Sequence, residues 1–332
     1  MSQPAPQLTP TPTARVDIRD LRVSFATDAG EVDAVNGVSL YLEPGEILAI
    51  VGESGSGKTV TARTILGLLP ETATASGAVL VEGADVVTMT PAQLRQVRGE
   101  EAAMVFQEPS SALNPVFPVG WQIAEGLRAH HPKLTRKELR ARAVEALRLV
   151  GIPDPEHRVN RFPHEFSGGQ KQRIVIAMAL SMGAKVIVAD EPTTALDVTV
   201  QAEILQLLRD IRDRYNTSIL LITHNMGVVA DLADSVLVMY QGRTVERRPA
   251  RELFADPQAD YTKKLLAAVP RIGVVSPSRE LSPEQWAALD AAEPVVVASG
   301  LEITYPGRLG TPPFRAVRGV DFGVGHVLFF LQ

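Results

Sequence analysis

The eight residues Gly52-Glu53-Ser54-Gly55-Ser56-Gly57-Lys58-Thr59 constrain this chain more than any other stretch. They fit the pattern G-x-x-x-x-G-K-[ST], in which glycines let backbone N–H groups close around phosphate oxygens while a lysine and a hydroxyl handle charge and a divalent cation. Such a loop works between a buried strand and the N-terminus of a helix, where the helix dipole also favours an anion. The neighbouring residues supply that context. Pro44-Gly45 forms a turn, Ile47–Val51 is an unbroken apolar run, and the spacing predicts a helix over 58–69.

The surrounding pattern extends the same architecture. Residues 16–25 and 34–42 alternate apolar with polar side chains and read as strands. A short helix is expected over 91–97, a buried strand over 102–106, and a helix over 135–150 that Gly151 ends. Further on, a helix over 168–182, a strand over 186–189, an amphipathic helix over 200–215 and a strand over 218–223 follow in turn. Strands alternating with helices define an α/β fold with a mostly parallel sheet covered on both faces.

Composition removes several classes of function. At 332 residues the chain accommodates one large domain plus a partial second. A net charge of −5 argues against a broad basic surface for nucleic acid. The lack of any cysteine excludes disulfides, thiolate zinc sites, cysteine nucleophiles and cysteine-ligated iron–sulfur clusters, and it fits a cytosolic protein. Residues 1–14 are rich in proline and threonine, lack the apolar core of a secretory signal and read as a disordered lead. No window approaches the roughly 18 apolar residues of a membrane span, so membrane association is expected to go through a partner.

Further chemistry-bearing residues fall in a fixed order. Gln107 follows the strand ending Met104-Val105-Phe106, and Phe166-Ser167-Gly168-Gly169-Gln170 opens a helix. The run Ile187-Val188-Ala189 ends in the paired carboxylates Asp190-Glu191, then come Ala195-Leu196-Asp197 and, after a further strand, His224. In this order the set resembles the ATP-binding cassette (ABC) ATPases over about residues 16–270. The resemblance implies a P-loop NTPase of ABC type, with a mostly parallel core sheet, an antiparallel β subdomain and an α-helical signature subdomain. It also implies ATP and Mg²⁺.

The residue roles that follow are those the family implies. Gly52, Glu53, Ser54, Gly55, Ser56, Gly57, Lys58, Thr59 and Val60 form the phosphate cradle, and Lys58 is the charge for the β- and γ-phosphates. Thr59, Gln107 and Asp190 serve the metal. Glu191 is the general base, His224 contacts the γ-phosphate, and Gln107 senses metal and water. Phe25 stands where the family usually carries a tyrosine that stacks on adenine; a lone aromatic on a strand also reads as core. Ser167, Gly168 and Gly169 face the γ-phosphate held by an opposing cassette, with Gln170 and Asp197 also counted as nucleotide-binding, so a complete site needs two cassettes.

Residues 108–116 and 261–270 look like the dipeptide and oligopeptide importer branch, whose relatives also move nickel and some glycopeptides or opines. The implied partners are a second cassette, two membrane permease subunits and an external solute-binding protein, with no nucleic acid, and the implied location is the cytoplasmic face of the membrane. No residue here is expected to touch the solute. The rival readings are a soluble cassette acting on ribosomes or DNA, which the short acidic linker disfavours, and an inactive remnant.

The domain plan is a lead over 1–14, a cassette over 15–250, an importer-type extension over 251–275, a linker over 276–294 containing Pro277, Pro283 and Pro294, and the start of a second cassette over 295–332. That last segment repeats the first: Leu301-Glu-Ile303-Thr-Tyr305 mirrors Leu21-Arg-Val23-Ser-Phe25, and Ala316-Val317-Arg-Gly319-Val320 mirrors Ala34-Val35-Asn-Gly37-Val38. No second phosphate loop follows, so it reads as a truncated or frameshifted second cassette. Three other features receive structural readings. His130-His131 is expected in a solvated loop rather than on a metal, residues 136–142 form the wet face of a helix, and Met226 and Met239 pack in the core.

Overall fold

The computed structural model describes residues 14–28, 30–194, 196–269, 296–306 and 312–324. Apart from Ala14, the expected N-terminal lead lies outside them, as do the expected linker and the final residues of the repeat. Two compact units, Met1–Val269 and Pro270–Gln332, are described separately.

The first unit opens with β1 (Val16–Thr27), β2 (Gly30–Leu42) and β3 (Ile47–Val51), followed by α1 (Lys58–Ile65), β4 (Ala73–Val81), β5 (Ala84–Asp85), α2 (Pro91–Glu100) and β6 (Ala102–Val105). A helical stretch comes next: α3 (Pro109–Ala112), α4 (Val119–His130), α5 (Arg136–Leu149), α6 (Pro155–Arg158) and α7 (Gly168–Ser181). Then β7 (Val186–Asp190), α8 (Val198–Tyr215), β8 (Ser218–Ile222), α9 (Met226–Leu232), β9 (Ser235–Tyr240) and β10 (Arg243–Pro249) lead to α10 (Ala250–Ala255) and α11 (Asp260–Ala267).

Two sheets organise these elements. The order β10-β9-β3-β8-β7-β6 is parallel throughout except for the edge strand β10, while β2-β1-β4-β5 is antiparallel. Every residue of β3, β7 and β8 is buried. This is why those strands read as continuous apolar runs rather than alternating ones: both faces are covered. One core cluster lies between the parallel sheet and α4, α5, α7 and α8, a second joins that sheet to the antiparallel one, and a third lies under β9 with α9 and α10. The carboxyl ends of β3, β7 and β8 carry the phosphate loop, Asp190-Glu191 and His224, so these motif residues converge at the carboxyl ends of the sheet's inner strands.

Several boundaries differ from the sequence reading for local reasons. The helix after the phosphate loop stops at Ile65 rather than near residue 69, because Gly67 takes a left-handed φ of 60° and the Arg98 guanidinium donates to the carbonyls of Leu66 and Gly67. The strand expected over 102–106 stops at Val105 and leaves Phe106 exposed. β4 carries little local signal because Ala73-Thr-Ala-Ser-Gly-Ala holds no large apolar side chain; its pairing with β1 holds it in place. Of the two histidines only His131 lies in the expected loop: His130 ends α4, partly buried, and Glu100 lies 3.7 Å from its ring and 3.8 Å from that of His131. Met226 and Met239 are buried in core clusters as expected.

In the second unit, β11 (Val296–Tyr305) pairs antiparallel with β12 (Phe314–Val324). The pairing reproduces β1–β2 residue by residue. Leu21↔Val38, Val23↔Val35 and Phe25↔Val32 become Leu301↔Val320, Ile303↔Val317 and Tyr305↔Phe314, with irregularities at the corresponding steps. The Asp20 N–H donates to the Ser39 hydroxyl at 2.9 Å, and the Gly300 N–H donates to Asp321 at 2.5 Å in the matching place.

Candidate nucleotide site

The loop after β3 depends on glycine at two points. A Cβ on Gly52, whose φ is 149°, would come within 2.2 Å of the Met239 carbonyl, and one on Gly57, at φ 96°, within 2.6 Å of the Ala34 carbonyl. Both sites therefore require a bare Cα, because β9 and β2 approach the loop this closely. Lys58, at the first position of α1, is buried and turns its ammonium back into the loop. It donates to the Gly52 carbonyl at 2.8 Å, the Glu53 carbonyl at 2.7 Å and the Ser56 hydroxyl at 3.3 Å. Burial lowers its pKa, an effect that the carboxylates of Glu191, Asp190 and Glu53 oppose. All three N–H groups are thus held by weak neutral acceptors that an anionic phosphate can outbid.

Thr59 of α1 and Asp190 at the end of β7 meet across the site. The Thr59 hydroxyl donates to Asp190 Oδ1 at 3.2 Å. Asp190 is buried, and burial raises its pKa, with the neighbouring charge of Glu191 adding to the rise. A buried carboxylate beside a hydroxyl is a hard oxygen pair that fits a small divalent cation.

Glu191 takes a left-handed φ of 52°, a conformation that costs a non-glycine residue on the order of 1 kcal/mol. Its N–H is held by the Ile222 carbonyl at 2.9 Å. Both carboxylate oxygens have partners: Nδ1 of His224 lies 2.7 Å from Oε1, and the Thr194 hydroxyl donates to Oε2 at 2.6 Å. The His224 side chain is 68 % exposed whereas that of Glu191 is 14 % exposed, so the pair reaches from the strand ends into open space. Thr194 was not singled out in the sequence. Spacing alone does not reveal it, because the contact depends on the turn after β7.

The other expected residues are distributed around this centre. Ser167 caps α7: its hydroxyl accepts the Gln170 N–H and the Gln170 side chain accepts the Ser167 N–H, both at 3.3 Å. The two glycines of this signature differ. A Cβ on Gly169 would lie 2.4 Å from Val200, whereas one on Gly168 would meet nothing nearer than Leu196 at 3.9 Å. Gly169 is required by the packing of α7 against α8, and Gly168 leaves an open backbone. Asp197 spends its carboxylate on the N-cap of α8, accepting the Val200 N–H at 2.9 Å. Gln107 is exposed just past β6. Phe25 is half-buried against the core shared by the two sheets, which accommodates both roles read for it.

A glycine-rich loop with a buried lysine, a hydroxyl–carboxylate pair and a histidine-held glutamate, at the carboxyl ends of inner parallel strands, defines a P-loop nucleotide hydrolase. The family model described as "ABC transporter" matches residues 35–194. The chain is 51 % identical over 262 residues to the oligopeptide transport ATP-binding protein OppD of Bacillus subtilis, covering 78 % of this chain and 73 % of that protein. It is 48 % identical to the dipeptide transport ATP-binding protein DppD of the same organism, covering 77 % of each. Against OppD of Mycobacterium tuberculosis the identity is 47 %, covering 80 % of this chain but 43 % of that longer protein. Among solved structures, an ATP-binding cassette captured as a dimer after hydrolysis with ADP and Pi superposes with a TM-score of 0.64 at 25 % identity, covering 71 % of this chain and 99 % of that one. CbiO1 of Clostridium perfringens gives 0.63 at 30 % identity, covering 79 % and 98 %. The chain belongs to the ABC transporter family.

Proposed function

We propose that the chain is the ATP-hydrolysing subunit of an importer for peptides or related solutes. Its named relatives are peptide-import ATP-binding proteins, and among the described residues no helix is long and apolar enough to cross a membrane. The observation that carries the catalytic part is the Glu191–His224 pair at 2.7 Å beside the phosphate loop. With ATP bound, Lys58 exchanges its loop carbonyls for phosphate oxygens. Glu191 still has lone pairs free on both oxygens to accept a proton from water attacking the γ-phosphate, while His224 holds the carboxylate in register. Thr59 and Asp190, with Gln107 beyond β6, would hold Mg²⁺, which supplies charge neutralisation at the phosphates when bound.

Two surfaces complete the reading. Ser167 and the open Gly168 present a helix N-terminus suited to the γ-phosphate of an opposing cassette, so two cassettes share each site. Beside the segment after Gln107, Val116 is 69 % exposed and the rings of Phe117 and Trp121 stack at 4.1 Å in the open. We assign this apolar patch to a permease subunit and read the chain as acting at the cytoplasmic face of the membrane. The β11–β12 hairpin, matching β1–β2 step for step, reads as the opening strands of a second cassette.

Glu191→Gln tests the mechanism. It keeps the His224 contact while removing the base, so ATP should bind as in the wild type, hydrolysis should fall about 10²- to 10⁴-fold, and a two-cassette complex should accumulate in ATP and Mg²⁺. Undiminished turnover would refute the assignment.

A further inference from the structure

α11 reaches the phosphate loop from outside the cassette's motif set. Tyr261, on its first turn, packs its ring against Tyr240 at the end of β9, with centroids 4.4 Å apart. Its hydroxyl accepts the backbone N–H of Glu53 at 3.2 Å. That N–H belongs to the same peptide unit as the Gly52 carbonyl, which accepts from Lys58 Nζ at 2.8 Å. In a trans peptide the two groups point in opposite directions, so one plane is gripped from outside by Tyr261 and from inside by Lys58.

The helix that delivers Tyr261 is itself fixed to the sheet. The buried Glu246 of β10 accepts the N–H groups of Gln258 and of Ala259, the N-cap of α11, each at 3.0 Å. Thr262 is fully buried, and Leu265, Leu266 and Val269 pack on the cluster formed by Ala49, Val51, Val236 and Val238. Burial also raises the Tyr261 pKa, keeping the phenol protonated and neutral at neutral pH.

We propose that Tyr261 is a positioning residue for ATP binding: its hydroxyl fixes the Gly52–Glu53 peptide, so that the loop keeps its shape when Lys58 leaves the Gly52 and Glu53 carbonyls for phosphate. The inference rests on the loop being the ATP site. Without the hydroxyl, the plane loses its outer hold at the moment its inner one is withdrawn, and nucleotide binding absorbs the cost of ordering it. The effect belongs to binding and not to the proton transfer at Glu191. Through Glu246 and Tyr261, the segment after β10 becomes a determinant of ATP affinity.

The test is titration of purified full-length chain with a fluorescent ATP analogue and Mg²⁺, together with KM and kcat for ATP hydrolysis, comparing wild type, Tyr261→Phe and Tyr261→Leu. Tyr261→Phe keeps the ring and its stack, so its melting temperature should match the wild type while Kd and KM rise about five-fold, the weight of one hydrogen bond, with kcat unchanged. Tyr261→Leu should raise Kd at least as far. Affinity in Tyr261→Phe within two-fold of wild type, or a loss confined to kcat, overturns the proposal. A wild-type chain that binds no ATP analogue would instead overturn the reading of the loop itself.

Discussion

Gly168 and Gly169 are adjacent in one signature, yet a Cβ meets Val200 at Gly169 and open space at Gly168, and alanine separates them. A Cβ on Gly169 would sit 2.4 Å from Val200 Cγ1, about 1 Å inside ordinary contact. Overpacking of that kind costs about 1–3 kcal/mol, and the gain in helix propensity from Gly to Ala returns up to ~1 kcal/mol. The net loss is about 1–2 kcal/mol, a drop in melting temperature of about 2–8 °C for a unit of this size. Val200→Ala removes the offending methyl, so the double variant should recover stability, with a coupling of about 1 kcal/mol in a double-mutant cycle. Gly168→Ala, with nothing nearer than 3.9 Å, should melt at or above the wild-type temperature and still lose ATP hydrolysis once two cassettes are assembled. Thermal and urea unfolding measure the first effect and ATPase assays the second. If Gly168→Ala destabilised as much as Gly169→Ala, or if Val200→Ala gave no rescue, the division of roles would be refuted.

Two further outcomes follow from contacts at the site and beneath it. Thr194→Ala removes the donor to Glu191 Oε2, which should lower kcat about ten-fold, as expected for a hydrogen bond to a charged group, and leave ATP affinity within about two-fold; Thr194→Ser should restore turnover, and a loss of affinity equal to the loss of kcat would contradict the assignment. Burial works against the charge on Glu246, but the N–H groups of Gln258 and Ala259 outweigh it and hold its pKa below the ordinary 4.5. A depressed native pKa contributes stability above the unfolded-state value, and that contribution disappears as pH falls through the native value. Urea unfolding should therefore show wild type more stable than Glu246→Gln by about 1–3 kcal/mol at pH 7, converging at acid pH; a difference independent of pH would remove the carboxylate from the argument.

The sequence alone carried the proposed reaction centre. The loop 52–59, the signature at 166–170, Asp190-Glu191 and His224 are legible because phosphate chemistry demands particular residues at particular points between strand and helix, and their order leaves few alternatives. The buried strands were legible for a related reason, since only strands covered on both faces read as unbroken apolar runs. Tertiary structure decided what depends on two distant segments meeting. Thr194 matters because a turn aims it at Glu191, Gly169 because α8 crosses α7 at Val200, and Tyr261 because Glu246 fixes α11 where one hydroxyl reaches the Glu53 amide. The weakly patterned β4 and the partly buried His130 belong with these, for neither the pairing with β1 nor the approach of Glu100 leaves a trace in local sequence. A motif records the chemistry its own residues perform. The contacts that hold it in place are distributed over the whole chain and exist only after folding has brought them together.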